Sequence, residues 1–340
     1  MNHIVLLGAG FTRNWGGWLA NEVFEFLIGT PELLADAGLR QMLWRHRLGG
    51  FEDALSELQR AILAPANRGS EEGLSYWDTN NKIPLRDHFI KLQTAVRRMF
   101  SDMNNAITSG FGSESGRNQS IGQFLARFDA VFTLNQDLFL ESLYVPYVKK
   151  MNSGRWKGAS LPGIRQGDRA TEKSGELYSS SEYSYQPRPR EEFAVEADLQ
   201  PIFKLHGSSN WFTAGGDPML IIGGEKTRAI SQFELLAWYA QEFERRLSEG
   251  IRVMVIGYGF RDRHINDAFA RAAEKGLQLF VVDPFGSELG ERADSWSVSA
   301  TRDVQQLFER ALIGASRRNI TETLRENGAE YKKLLRFMES

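Results

Sequence analysis

The feature of this sequence that most constrains its fold is a series of short apolar runs, each ending at a glycine or a polar residue. Such runs are typical of strands that are buried on both faces of a parallel sheet. Amphipathic segments with helical spacing separate several of them, notably 232–247 and 265–275. We therefore predict a Rossmann-like, doubly wound α/β fold with a mainly parallel sheet. The predicted strands are 4–7, 130–134, 202–205, 219–222, 253–256 and 277–282.

Three long segments interrupt this alternation of strands and helices. Residues 31–128 have apolar residues at helical spacing, which predicts a large helical insertion after the first strand, with a Gly/Ser-rich loop at 110–119. Residues 151–198 are polar, and we interpret them as a surface excursion without regular structure. Residues 301–340 are amphipathic and predict a C-terminal helical segment. The expected organisation is one α/β domain over 1–300, followed by that segment.

Composition excludes several classes of protein. The chain has 340 residues and no cysteine, so disulfides, thiolate nucleophiles and cysteine-based zinc sites are excluded. Its formal net charge of -2 gives no sign of the basic surface that nonspecific nucleic-acid binding requires. No apolar run approaches the roughly 20 residues of a membrane-spanning helix. The first residues lack the pattern of a signal peptide, so we expect a cytoplasmic protein without direct nucleic-acid or membrane contacts.

The first predicted strand ends in the turn Gly8-Ala9-Gly10, which leads towards a helix. Rossmann-type folds bind a pyrophosphate at this place, because glycines admit the anion and the N–H groups of the helix face it. A simple tight turn explains the same glycines. The dehydrogenase fingerprint is incomplete, because Arg13 occupies the position of its third glycine. Hydride transfer therefore loses its main support.

Polar side chains follow three further predicted strands. Asn135 and Asp137 follow strand 130–134, His206 follows 202–205, and Asp283 follows 277–282. Ligands of open α/β sheets bind beyond the carboxyl ends of the strands, and histidine is suited to proton transfer near neutral pH. Each residue also has a structural interpretation: helix caps for Asn135 or Asp137, a packed histidine for His206, and a turn at Asp283. His264 has no second histidine at ligand spacing, so we predict no metal site.

The order of these motifs resembles that of the sirtuin superfamily. Residues 8–12 are similar to its phosphate loop, residues 133–137 to its Thr-Gln-Asn-x-Asp motif, and residues 205–208 to its His-Gly motif. Gly257 matches its later nucleotide loop, and Asp283 lies where many sirtuins have an asparagine that contacts adenosine. The resemblance implies that NAD is bound by Gly8, Ala9, Gly10, Phe11, Thr12, Asp137, Gly257, Tyr258 and Asp283.

Departures from the sirtuin deacylases resemble the bacterial sirtuin-like NAD hydrolases of anti-phage defence. The four-cysteine zinc module is missing, the helical insertion is foreign to deacylases, and residues 13–18 replace their Gly-Ile-Pro-Asp-Phe-Arg segment. The resemblance implies an enzyme that cleaves NAD, its substrate, to ADP-ribose and nicotinamide without a metal. It also implies a homo-oligomer and a separate partner, such as a HerA-like ATPase or another sensor protein.

Cleavage of the nicotinamide–ribose bond resembles glycoside hydrolysis, with an oxocarbenium-like transition state. We expect Asn135 to orient the ribose hydroxyls or the attacking water and His206 to act as general base. The alternatives are an NAD-dependent deacylase, a non-catalytic sensor of NAD or ADP-ribose, and a hydride-transfer enzyme. Retention of both Asn135 and His206 argues against the sensor, because binding alone needs no base.

Overall fold

The computed structural model describes residues 3–47, 51–63, 82–113, 115–151, 155–169, 183–223, 226–291, 298–326 and 328–339. The strands in these ranges are β1 (His3–Leu7), β2 (Ala130–Thr133), β3 (Gly158–Ser160), β4 (Ile164–Arg169), β5 (Tyr183–Pro187), β6 (Leu199–Lys204), β7 (Gly207–Phe212), β8 (Pro218–Leu220), β9 (Arg252–Ile256), β10 (Gln278–Val282) and β11 (Leu312–Ser316). A seven-stranded sheet has the order β11-β10-β9-β1-β2-β6-β3, and its neighbouring strands all pair in parallel.

The α-helices complete the description of the fold. They are α1 (Ala9–Thr12), α2 (Ala20–Leu27), α3 (Pro31–Leu34), α4 (Ala37–Arg45), α5 (Phe51–Leu63), α6 (Lys82–Ser113), α7 (Ser115–Leu125), α8 (Val145–Met151), α9 (Lys226–Ser231), α10 (Glu234–Arg246), α11 (Arg263–Ala273), α12 (Val298–Ala311), α13 (Ile320–Thr323) and α14 (Ala329–Glu339). None of the described helices is both long and apolar enough to cross a membrane.

Helices cover both faces of the seven-stranded sheet, which explains its uninterrupted apolar runs. Successive side chains of a strand point to opposite faces. In β1, Val5 and Leu7 pack into one core together with α2–α7 and α13–α14, whereas Ile4 and Leu6 pack into a second core with α9–α12. The predicted doubly wound α/β fold with its large helical insertion is therefore confirmed.

The ends of five strands lie level at one edge of this sheet. Leu7, the last residue of β1, pairs with both Thr133 and Ile256. Thr133 pairs with Lys204, and Ile256 pairs with Val282. These last residues of β10, β9, β1, β2 and β6 thus form one row, and the residues that follow them meet at the carboxyl edge.

The predicted strand 219–222 does not belong to the main sheet. It is observed as β8, which pairs antiparallel with β7 in a four-stranded sheet of order β4-β5-β7-β8. Gly207, with φ of +74°, turns the chain directly from β6 into β7, so no crossover helix follows that would return the chain to the parallel sheet. The apolar run then folds back as the second strand of a hairpin.

Three other segments differ at least in part from the expected local structure. The prediction of a loop at 110–119 was wrong, because residues 110–113 lie in α6 and residues 115–119 lie in α7, whereas residue 114 lies outside the described residues. Gly110 lets α6 pack closely, because a Cβ there would lie 2.6 Å from the carbonyl oxygen of Trp15. The excursion 151–198 contains β3, β4 and β5, although 152–154 and 170–182 lie outside the described residues. The C-terminal segment is largely helical, with α12, α13 and α14, but it also includes β11. Among the described strands β11 pairs only with β10, at the edge of the sheet, and therefore needs no uninterrupted apolar run.

Candidate functional site

Two glycine turns meet at the centre of the carboxyl edge, one after β1 and one after β9. The N–H of Gly10 donates to the carbonyl oxygen of Gly257 at 2.9 Å. A Cβ on Gly8 would lie 2.5 Å from that same oxygen. Gly257 itself has φ of +64°, and a Cβ on it would lie 2.3 Å from the nitrogen of Phe11. These three glycines are required because two backbone segments touch.

Most N–H groups of the predicted phosphate loop already have partners. Gly8 donates to the carbonyl oxygen of Ile256, and Phe11 donates to that of Gly8, each at 2.9 Å. The N–H of Ala9, an exposed residue at the start of α1, donates to no other described residue. Phe11 is 1% exposed, and its ring packs edge-on against Trp15. Of the loop residues, Ala9 thus offers the N–H that is open to a ligand, and the other predicted contacts remain predictions.

Thr12 connects the first turn to the residues that follow β2. Its hydroxyl donates to a carboxylate oxygen of Asp137 at 2.9 Å and accepts from the side-chain amide of Asn135 at 3.3 Å. The other carboxylate oxygen of Asp137 accepts from the N–H of Phe139 at 3.0 Å. Burial raises the pKa of Asp137, while the charge of Lys204 and these hydrogen bonds oppose the rise. Asp137 therefore holds the turn together, but it does not cap the following helix, whose N-cap is Phe139.

Asn135 is half-buried and held in place, but it is not saturated with hydrogen bonds. Its backbone N–H donates to the hydroxyl of Thr133 at 3.0 Å, and its side-chain nitrogen donates to Thr12. Its side-chain oxygen makes no hydrogen bond to another described residue. An oriented amide with an available oxygen is suited to hold a ligand hydroxyl or a water.

His206 follows β6 in the same row of strand ends. Gln136 anchors the turn, because its side-chain nitrogen donates to the carbonyl oxygens of His206 at 3.1 Å and of Ile221 at 2.7 Å. His206 is 3% exposed, and burial lowers its pKa to about 3 against the opposing charge of Asp262. Its imidazole is therefore neutral at physiological pH.

The structure brings three further charged or titratable groups to His206 that the sequence analysis did not identify. Nε2 of His264 lies 3.3 Å from Nε2 of His206, and burial lowers the pKa of His264 as well. Nζ of Lys226 lies 2.6 Å from Oδ1 of Asp262 and 3.2 Å from a carboxylate oxygen of Glu52. Burial alone would lower the pKa of Lys226, but these two carboxylates raise it. Asp262 and His264 lie between the Gly257 turn and the first turn of α11. Their place shortly after a strand end is the sequence feature that could have indicated a position near the sheet edge.

The donor atoms of His206, Asp262 and His264 lie within 4.8 Å of one another, so they are close enough to share a metal ion. The ammonium of Lys226 already binds Asp262, however, and supplies the positive charge that this carboxylate requires. The cluster therefore fits a hydrogen-bonded site for proton transfer better than a metal centre. The spacing of His264 along the chain gave no indication of this approach.

Tyr258 and Asp283 also follow strands of the row, but their side chains are used within the protein. The hydroxyl of Tyr258 accepts from the N–H of Asp262 at 3.0 Å and donates to the side chain of Asn266 at 3.0 Å. A carboxylate oxygen of Asp283 accepts from the N–H of Phe285 at 2.9 Å, as its turn interpretation predicts. Contacts of either side chain with a nucleotide remain predictions.

The edge thus carries one connected row of groups, from Asp283 through Gly257 and Gly8 to Asn135 and His206. Hydrogen bonds link each turn to its neighbour. A parallel, doubly wound sheet with helices on both faces defines a Rossmann-like α/β protein, and the glycine turn, the oriented amide and the neutral histidine make its carboxyl edge the candidate ligand site.

Comparison with known proteins identifies the family. A family model described as "SIR2-like domain" matches residues 129–300, just over half of the chain, and includes Asn135, His206 and Gly257. No curated protein matches the chain. The chain belongs to the SIR2-like family, whose domains are in general NAD-dependent enzymes.

Proposed function

We propose that this protein is an NAD hydrolase that cleaves the nicotinamide–ribose bond and releases nicotinamide and ADP-ribose. The observation that carries the proposal is the pairing of an oriented Asn135 with a buried, neutral His206 on one sheet edge of a SIR2-like domain. A protein that only binds NAD needs neither group, whereas hydrolysis needs both an oriented water and a base.

The reaction places definite demands on these two residues. The oxygen of water bonds to the anomeric carbon, the carbon–nitrogen bond breaks, and its electron pair leaves with neutral nicotinamide. Asn135 orients the water or the ribose hydroxyls, and Thr12 holds Asn135 in position. His206 accepts the proton of the water, and the carboxylate of Asp262 stabilises the imidazolium that forms.

The low pKa of His206 bears on its role as a base. A pKa of about 3 leaves the imidazole unprotonated but makes it a weak base in the free protein. Bound NAD brings a negatively charged diphosphate to the same edge, and that charge raises the pKa of His206.

The resemblance to the sirtuin-like hydrolases of anti-phage defence supports a biological role. We propose that the protein depletes NAD in the cytoplasm of an infected bacterial cell. It would act as a homo-oligomer, together with a HerA-like ATPase or another sensor protein. The missing zinc module and the helical insertion support this role over deacylation.

Release of nicotinamide from NAD by the purified full chain, with and without its co-encoded partner, tests the proposal. We expect His206→Ala and Asn135→Ala to lose nearly all turnover while remaining folded. His88→Ala is the matched control, because His88 pairs with Asp36 in the helical insertion and is not part of the sheet edge. Normal turnover in the two edge variants would refute the mechanism. Deacylation of an acetylated peptide, or NAD binding without turnover under all these conditions, would favour the two alternative functions.

A further inference from the structure

The contact between His206 and His264 carries a further inference, which rests on the proposed function. Their Nε2 atoms lie 3.3 Å apart, and the two rings meet at a centroid distance of 5.3 Å. Each neutral imidazole has one N–H and one unprotonated nitrogen. One ring must therefore donate and the other accept, so this contact couples the tautomer of His206 to that of His264.

The surroundings of His206 distinguish its two nitrogens. Among the described residues, His264 is the hydrogen-bond partner of Nε2, and Nδ1 has no partner. A base must present an unprotonated nitrogen to the substrate. That nitrogen is Nδ1 if Nε2 carries the proton and donates a hydrogen bond to His264.

We propose that His264 is a positioning residue, which accepts a hydrogen bond from the Nε2–H group of His206. Nδ1 of His206 is then the unprotonated atom that takes a proton from the attacking water. The bond becomes charge-assisted when His206 is protonated, so it is strongest in the state that forms during the reaction. His264 stabilises that state without contacting the substrate.

The charged neighbours of the pair support this assignment. Asp262 lies two residues before His264, and its charge favours the protonated form of His206. Lys226 opposes this effect, but it is itself bound by Asp262 and by Glu52 of α5. The protonated pair thus faces the carboxylate of Asp262, which is held in position by its ion pair with Lys226.

Nitrogen NMR of the histidine rings reads the tautomer of His206 directly, independently of any turnover. We expect the folded, NAD-free protein to have its proton on Nε2 of His206, with the signal assigned by its loss in His206→Gln. A proton on Nδ1 would overturn the proposal. This measurement remains valid even if the protein does not cleave NAD, so the failure of this inference and the failure of the proposed function are distinguishable.

Substitution of His264 provides the second test. We expect His264→Ala to lower kcat about tenfold to a hundredfold, which is part of the effect of a general base, with little change in KM. His264→Gln places a carbonyl acceptor near Nε2 and should restore much of the rate, as a purely structural role would not predict. The acidic limb of the pH–rate profile should also move in His264→Ala. An unchanged kcat and pH profile in folded His264→Ala would refute the assignment.

Discussion

Burial of a neutral His206 predicts that acid destabilises this protein in a specific window of pH. In an unfolded chain histidine has a pKa of about 6.5, and burial lowers that of His206 to about 3 in the folded protein. Well above pH 6.5 neither state is protonated, so the contribution of this residue to stability does not depend on pH there. Below pH 6.5 the unfolded state takes up a proton that the folded state cannot, so stability falls until the pH reaches about 3.

The size of the effect follows from this difference in pKa. A pH of 5 lies about 1.5 units below the pKa of the unfolded histidine. His206 therefore lowers the free energy of unfolding by about 2 kcal/mol relative to pH 7. His264, whose pKa is also lowered, acts in the same direction and remains in the variant. Only the part due to His206 therefore disappears in His206→Gln.

Urea unfolding at pH 7 and pH 5 measures this difference. We expect wild type to lose about 2 kcal/mol more than His206→Gln between the two pH values. His88→Gln is the matched control, because it removes a histidine of the helical insertion and leaves His206 in place. If wild type and His206→Gln lose the same stability, His206 is not buried in its neutral form, and the argument for its protonation state fails.

Three substitutions test other contacts of the edge. Thr12→Val leaves one oxygen of the buried Asp137 without its partner and should cost about 1–3 kcal/mol in urea unfolding, with a lower kcat for NAD cleavage. Gly257→Ala forces a Cβ to 2.3 Å from a backbone nitrogen at positive φ and should lower stability by more than about 3 kcal/mol, whereas Gly259→Ala, with nothing within 4 Å, should not. Lys226→Met leaves the buried carboxylate of Asp262 without its ammonium partner and should cost about 3 kcal/mol in urea unfolding at pH 7.

The strands and their common edge could be predicted because burial on both faces leaves a local signal. Runs such as 253–256 are uninterrupted because each side chain enters one of two cores. Once the runs are read as parallel strands, the placement of Asn135 and His206 at the same sheet edge follows from topology. β11 and β8 gave weaker or misleading signals, because an edge strand and a hairpin strand do not differ from other short apolar segments in sequence.

The surroundings of the candidate base could not be predicted. His206 and His264 are separated by 58 positions, and their contact depends on where the chain after the Gly257 turn places the start of α11. Lys226 also forms an ion pair with Glu52, which lies in the helical insertion and is far along the chain from the rest of the site. Such contacts are set by packing between elements, and no residue pattern within either element encodes them.

The family match begins at residue 129 and therefore leaves out the turn after β1, yet hydrogen bonds join this turn to the residues that follow β2 and β9. Gly8 and Gly10 cannot move away from Gly257 without breaking a backbone contact, and loss of the Thr12 hydroxyl would release the side chain of Asn135. The insertion after β1 leaves this arrangement intact, because β1 lies between β2 and β9 and is held by both. The matched region thus supplies the amide and the histidine, whereas the N-terminal strand supplies the turn that orients the amide. Only the two parts together form a complete candidate site.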